Sequence, residues 1–339
     1  MRPAFANAPS KVKTVPMKKR IIILGAVVLL VILGASAAWF YASGIVRQEV
    51  GRLAFADGET SPQLTCANLG IGGFPFAFDI ECTDAVVVSG DLMAEIPGLR
   101  VSVMVYDFTH AIGSARGPAQ LSDAFTGQRS SISWTGLNAS LRIKDNRIAR
   151  LSVVGDELSW NDLLLGDTML AKASHAEAHL LDIPEAHDPE RNLASLALYL
   201  KADALDLPAA TLANTALEVE AEATGIPDDL NAIGATPILP TWQQAGGQLK
   251  IVGIRMSDDN ADLNASGDLT LDAQGFPNGT IAIDSMGVAE RIGPLIEEPW
   301  RTLVLGVPQE NGRHTNQLNF RGGTLSSGLV PITALPPLF

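Results

Sequence analysis

The hydrophobic pattern begins with an unbroken apolar run, Ile21 to Phe40, twenty residues without a charge. Coiled as a helix, such a run spans about 30 Å, the thickness of a bilayer's hydrocarbon core. A helical period then continues through residues 42–55, where Ile45, Val46, Val50 and Leu53 recur with Arg47, Glu49 and Arg52 between them. After Asp57-Gly58 the period changes to two. Leu263, Ala265, Gly267, Leu269, Leu271 and Ala273 alternate with Asp262, Asn264, Ser266, Asp268, Thr270 and Asp272. Leu217, Val219, Ala221 and Ala223 likewise oppose Glu218, Glu220 and Glu222, and Leu137, Ala139, Leu141 and Ile143 line one side of another strand. Ala194, Leu196, Leu198 and Leu200 face away from Ser195, Ala197 and Tyr199. Asp145-Asn146 supplies a turn into residues 148–154, and residues 274–279 form a turn cluster leading into residues 280–284. Helical stretches are few: residues 241–245, and residues 288–298 interrupted at Gly293-Pro294.

Strands with one apolar and one polar side predict an antiparallel sheet with a single covered face. The visible helices are too few to cover it. The predicted fold is therefore mainly β. An N-terminal transmembrane helix precedes an elongated antiparallel, curled β-sheet, either a groove or a sandwich, with few short helices. The chain divides into a short tail (residues 1–16) without periodicity, an anchor (17–42), a helical stalk (43–57) and a β-rich domain (58–339). The last ten residues, apolar to the end but broken by Pro336-Pro337, are expected to pack over a sheet end or a groove mouth.

Charge adds a direction. The chain carries 24 Lys and Arg against 37 Asp and Glu, a net −13. Arg2, Lys11, Lys13, Lys18, Lys19 and Arg20 all precede the apolar run, and no acid does. Residues 21–339 thus carry 18 bases against 37 acids, net −19. The basic cluster predicts a cytoplasmic N-terminus, a single pass through the bacterial inner membrane, and a periplasmic bulk. Trp39 and Tyr41 are expected at the far interface. The competing reading is a cleaved signal peptide, with Ala35-Ser36-Ala37 as the cleavage pattern; either way residues 43–339 are exported. The acidic balance argues against a general nucleic-acid binder, which needs bases to neutralise phosphates.

Cys66 and Cys82 both lie in the exported part, where a disulfide is the default; two free thiols are the alternative. Phe74, Pro75 and Phe76 lie between them. They read either as an apolar ligand or partner-docking loop, or as an anchor of the cysteine loop to the sheet.

The order of basic start, single anchor, Cys66, Gly72-Gly73-Phe74-Pro75-Phe76, Cys82, and a terminal Leu335-Pro336-Pro337-Leu338 resembles the alphaproteobacterial domain-of-unknown-function 2125 family. More loosely, late strand-turn-strand units such as 267–279 resemble AsmA-like envelope proteins. That resemblance implies an inner-membrane anchor and a long β-groove associated with moving lipids. The chain is far shorter than members thought to bridge the periplasm, so a carrier, holder or accessory is what its length allows.

Catalytic patterns are missing. His175-Ala176-Glu177-Ala178-His179 places its glutamate one position too late for a zinc-protease helix. On a strand the three polar side chains share a face, but their Cα atoms span about 13 Å, too far for one metal without strong bending. A solvated polar face is the simpler reading, and His187-Asp188 is an equally weak ligand candidate. Gly70-Ile71-Gly72-Gly73 lacks the Gly-Lys-Ser/Thr that would cradle a phosphate. Asp228-Asp229, Asp258-Asp259 and Glu297-Glu298 read as turn or helix-end features. The expectation is a protein without catalytic residues, metal or cofactor. Its expected partners are the inner membrane and a lipid or other apolar ligand, or alternatively another envelope protein.

Overall fold

The computed structural model describes residues 17–59, 61–164, 166–228, 237–292 and 296–339. The N-terminal tail, Asp229, Gly293 and Pro294 lie outside them. Helix α1 (Met17–Leu53) runs without a break, so the expected anchor and stalk are one helix. Strands β1 (Gln63–Gly72), β2 (Ala77–Ser89), β3 (Leu92–Met104), β4 (Asp107–Arg116), β5 (Ala119–Asp123), β6 (Arg129–Ser133), β7 (Gly136–Lys144), β8 (Arg147–Asp162) and β9 (Thr168–Asp182) follow. Strands β10 (Leu193–Leu207) and β11 (Leu212–Pro227) then lead to helix α2 (Ile238–Gln244). Beyond it come β12 (Leu249–Ser257), β13 (Asp262–Leu271), β14 (Pro277–Met286), helices α3 (Val288–Ile292) and α4 (Trp300–Leu305), and β15 (His314–Arg321), β16 (Thr324–Ser327) and β17 (Val330–Ala334).

All pairings are antiparallel and join one sheet. Strands β4 and β5 both pair with β3, and β6 and β7 both pair with β8. Each pair is thus one long strand with a break. The two breaks lie side by side, at Gly117-Pro118 and at Trp134-Thr135. The Trp134 ring lies over Gly117 and its N–H donates to the Ala115 carbonyl at 2.9 Å. Counted this way, fifteen strands follow one another in space in the order of the sequence. Such a meander needs only tight turns, and aspartates supply many of them. The carboxylates of Asp123, Asp258 and Asp272 each accept two backbone N–H bonds from their own turns. Part of the acidic excess is therefore turn chemistry.

Among the described residues no second layer covers the sheet. The chain exposes 21287 Å², where a compact monomer of its mass exposes about 13,000 Å²; the bare anchor accounts for part of the difference. The largest fully enclosed side chains among the described residues are only Thr215, Ser195 and Ser285. A local apolar cluster forms where α3 and α4 close over Ala261, Met256 and Leu263. Trp242 of α2 is buried at one end of β11 and donates to the Thr224 carbonyl at 2.7 Å. The C-terminal tail packs over a sheet end as expected: the Leu338 N–H donates to the Gly275 carbonyl at 3.0 Å, and the Phe339 ring lies against Gly275.

Two local expectations are corrected. Of the helix read over 288–298, only Val288–Ile292 is helical among the described residues; a further short helix starts at Trp300, and Pro299 just before it pushes its predecessor out of the helical region. The turn at 274–279 is tighter than its sequence suggests, since β14 starts at Pro277. Trp39, expected near the end of the anchor's membrane span, packs into the sheet: it is 7% exposed, its ring stacked on Phe78 at 5.6 Å and its N–H donating to the Ala77 carbonyl at 2.9 Å. Burying the indole against the sheet satisfies its polar edge without water.

Candidate ligand-binding surface

The strand registers align one residue per strand into rows across the sheet. One row runs Ile71, Ile80, Val101, Gly113, Ala139, Val153, Ala178, Leu200, Val219, Ile254, Ala265, Ile283 and ends at Asn316. The neighbouring row, on the opposite face, runs Glu81, Arg100, Ser114, Asn138, Val154, Glu177, Lys201, Glu218, Arg255, Asn264, Asp284 and Thr315. Twelve consecutive positions of the first row carry no polar side chain, and the second row carries one apolar residue, Val154. The apolar row stops where Asn316 donates to the Leu303 and Val304 carbonyls at 2.8 Å, beneath α4.

The apolar row is not enclosed. Of its twelve apolar members only Ala265 is buried, and Val101 is 37% exposed. The twelve strands that the row crosses, spaced about 4.8 Å apart, give an apolar face about 53 Å wide. Three or four inward residues per strand make it about 20 Å deep, so its area is on the order of 1,000 Å². That is well above the few hundred Å² that a soluble monomer usually exposes in one patch.

The opposite face is an ionic lattice. Arg100 meets Asp79 and Glu81 at 3.2 and 3.5 Å, Lys250 meets Glu222 at 3.5 Å, and Arg255 meets Glu218 and Glu220 at 3.1 and 3.2 Å. His175, Glu177 and His179 belong to this face. His175 bonds Asp156 through Nδ1 at 2.7 Å and Glu177 through Nε2 at 2.8 Å, while the second Glu177 oxygen bonds His179 at 2.8 Å. Hydrogen bonds from His179 and His175 hold the Glu177 carboxyl down at about 2, and those to Glu177 and Asp156 raise His175. The segment is a ladder of paired side chains. Among the described residues no group of three or more His, Cys, Asp or Glu is arranged to hold a metal ion. His187 bonds Asp228 at 2.5 Å, within a cluster that includes Arg147. A concavity of about 700 Å³ lies mainly on this ionic face between β12 and β15. Its charged members Arg255 and Asp284 are already paired, Asp284 with Arg313.

Cys66 and Cys82 form a disulfide that ties β1 to β2, with Cα atoms 5.3 Å apart. Phe74 and Phe76 lie at the turn between those strands, and Phe74 packs against the anchor. Phe74 meets Trp39 at 5.4 Å and Phe40 at 5.7 Å, while Phe76 is 69% exposed. The loop thus docks on α1, a contact that the spacing of the cysteines did not suggest. Helix α1 runs antiparallel to β1: Arg47 donates to the Leu69 carbonyl at 3.2 Å, and Gln63 to the Ala54 carbonyl at 2.8 Å. The apolar run 21–38 therefore projects beyond the sheet rim that carries the turn at Phe74. This helix is long and apolar enough to cross a membrane.

Residues 39–336 match the family described as an uncharacterized protein conserved in bacteria, DUF2125. The chain belongs to the DUF2125 family. The match starts at Trp39, where the helix meets the sheet, and covers every strand together with the C-terminal part of α1. This DUF2125 chain matches no curated protein and no solved structure.

Proposed function

We propose that this DUF2125 protein is held in the bacterial inner membrane by α1, with its sheet in the periplasm, and that the apolar face binds the acyl chains of a lipid. The protein acts as a carrier or holder and not as an enzyme. The observation that carries the reading is the uncovered apolar row from Ile71 to Ile283. A face of this size in water costs roughly 25 cal/mol for each Å² left uncovered, so an occupant is strongly favoured. Its depth of about 20 Å accommodates one leaflet's acyl chain, half of a core about 30 Å thick. Continuity with the anchor supports a lipid as that occupant, since Ile71 and Ile80 begin the row beside the helix. The loose likeness to AsmA-like proteins points the same way.

Native mass spectrometry of residues 43–339, purified without detergent, tests this. Mass increments of a phospholipid or fatty acid, released on activation, are expected. A lipid-free species whose apolar face is closed by a second copy or by another envelope protein would replace this reading with that of an assembly module.

A further inference from the structure

Two turns beside the anchor present aromatic side chains outward. In the β1–β2 turn Phe74 is 49% and Phe76 69% exposed; at the β3–β4 turn Tyr106 is 78% and Phe108 67% exposed. The turns form one unit. The Val105 N–H donates to the Phe76 carbonyl at 3.0 Å, and Phe108 stacks on Phe78, which stacks on Trp39. Trp39 sits at the end of the apolar run, so the cluster lies level with the point where α1 would leave the hydrocarbon.

We propose that these two turns are a membrane-seating surface: Phe76 and Tyr106 insert into the interfacial layer of the leaflet from which α1 emerges. The proposal rests on the reading that α1 spans a bilayer, and it adds a second, non-helical contact with the lipid. Aromatic rings are at home at that depth, where one part of the ring meets acyl chains and another meets headgroups. The next turn on the same rim reads Lys144, Asp145, Asn146 and Arg147, without an aromatic residue. Neighbouring strands rotate by roughly 20° each, so later turns of the rim swing away from the plane that the first two share. Seating the rim fixes the sheet upright on the membrane, with the start of the apolar row at the lipid.

The test uses the full chain in vesicles of phosphatidylethanolamine and phosphatidylglycerol. Single cysteines replace Phe76, Tyr106 or, as a control on the opposite rim, Phe125, which is 85% exposed. Each is spin-labelled in preparations whose Cys66–Cys82 bond is intact by mass. Collision rates with oxygen and with a water-soluble nickel chelate are then compared. At Phe76→Cys and Tyr106→Cys the nickel collision rate is expected to be roughly threefold or more below that at Phe125→Cys, with oxygen favoured. Nickel access at either site equal to that at Phe125→Cys overturns the seating. Release of the protein by alkaline carbonate overturns the anchor itself, and the seating with it.

Discussion

Replacing Asp258 by asparagine removes one charge and keeps the side chain's shape. The Asp258 carboxylate is 5% exposed and accepts from both terminal nitrogens of the Arg291 guanidinium, Nη2 at 2.9 Å. It also accepts the Asn260 and Ala261 N–H groups at 2.9 and 3.0 Å, and the Thr215 hydroxyl at 3.3 Å. The Arg291 hydrogen bonds come first among the causes that hold this carboxyl at about 2, against an ordinary 3.8. A folded-state value below the unfolded one stabilises the fold at pH above about 4, and that stabilisation is lost as pH falls through about 2. The difference is worth about 2 kcal/mol. Asp258→Asn also leaves Arg291, itself 15% exposed, without its counter-charge, so the total cost near neutrality is about 3 kcal/mol. Urea unfolding of both proteins across a pH series reads this directly, because all other carboxylates cancel in the difference. The gap between the two is expected to be about 3 kcal/mol at neutral pH and to shrink by about 2 kcal/mol toward pH 2. A gap that is flat with pH, or below about 1 kcal/mol throughout, refutes the assignment of Asp258 as the tie between α3 and the sheet.

Three further outcomes rest on the geometry. His175 is held above its ordinary 6.5, so its contribution is complete below that pH and is lost as pH rises through the folded value. In a histidine NMR titration Glu177→Gln should move the His175 midpoint down, and an unchanged midpoint contradicts the ladder. A Cβ at Gly267 would lie 2.1 Å from the Thr280 carbonyl oxygen of the neighbouring strand; Gly267→Ala should cost about 1–3 kcal/mol in the same unfolding assay, and a neutral result contradicts this close approach. Reducing Cys66–Cys82, separated by 16 residues, should cost about 3 kcal/mol by loop entropy, and no change in the unfolding midpoint contradicts it.

The two-sided character of the sheet was legible wherever a strand keeps its parity. Residues 262–271 and 216–224 show it because no bulge interrupts their alternation within β13 or that part of β11. The region 63–133 hid its strands. Val86, Val87 and Val88 are apolar on both sides, Pro97 sits inside β3, and the left-handed Asp84 (φ 48°) disturbs β2. The alignment of separate strands into one apolar row was out of reach, because registers between strands depend on every turn length at once. The disulfide was read correctly, as the default for two cysteines in a segment expected to be exported. The docking of Phe74 on Trp39 and Phe40 was not, since aromatic residues 35 and 34 positions apart carry no local signal of contact. That His175, Glu177 and His179 share one polar face was legible from their spacing alone.

The central claim is that lipid lies on one face of this sheet and not on the other. Leu198 and Tyr199 are neighbours in β10, on the apolar and ionic faces respectively. A photo-reactive benzophenone amino acid placed at each position in turn, in the full chain in living cells, reports what touches each face. The account predicts a lipid-mass adduct from position 198 and none from position 199. Equal lipid labelling at both positions, or a protein adduct alone from position 198, would contradict it.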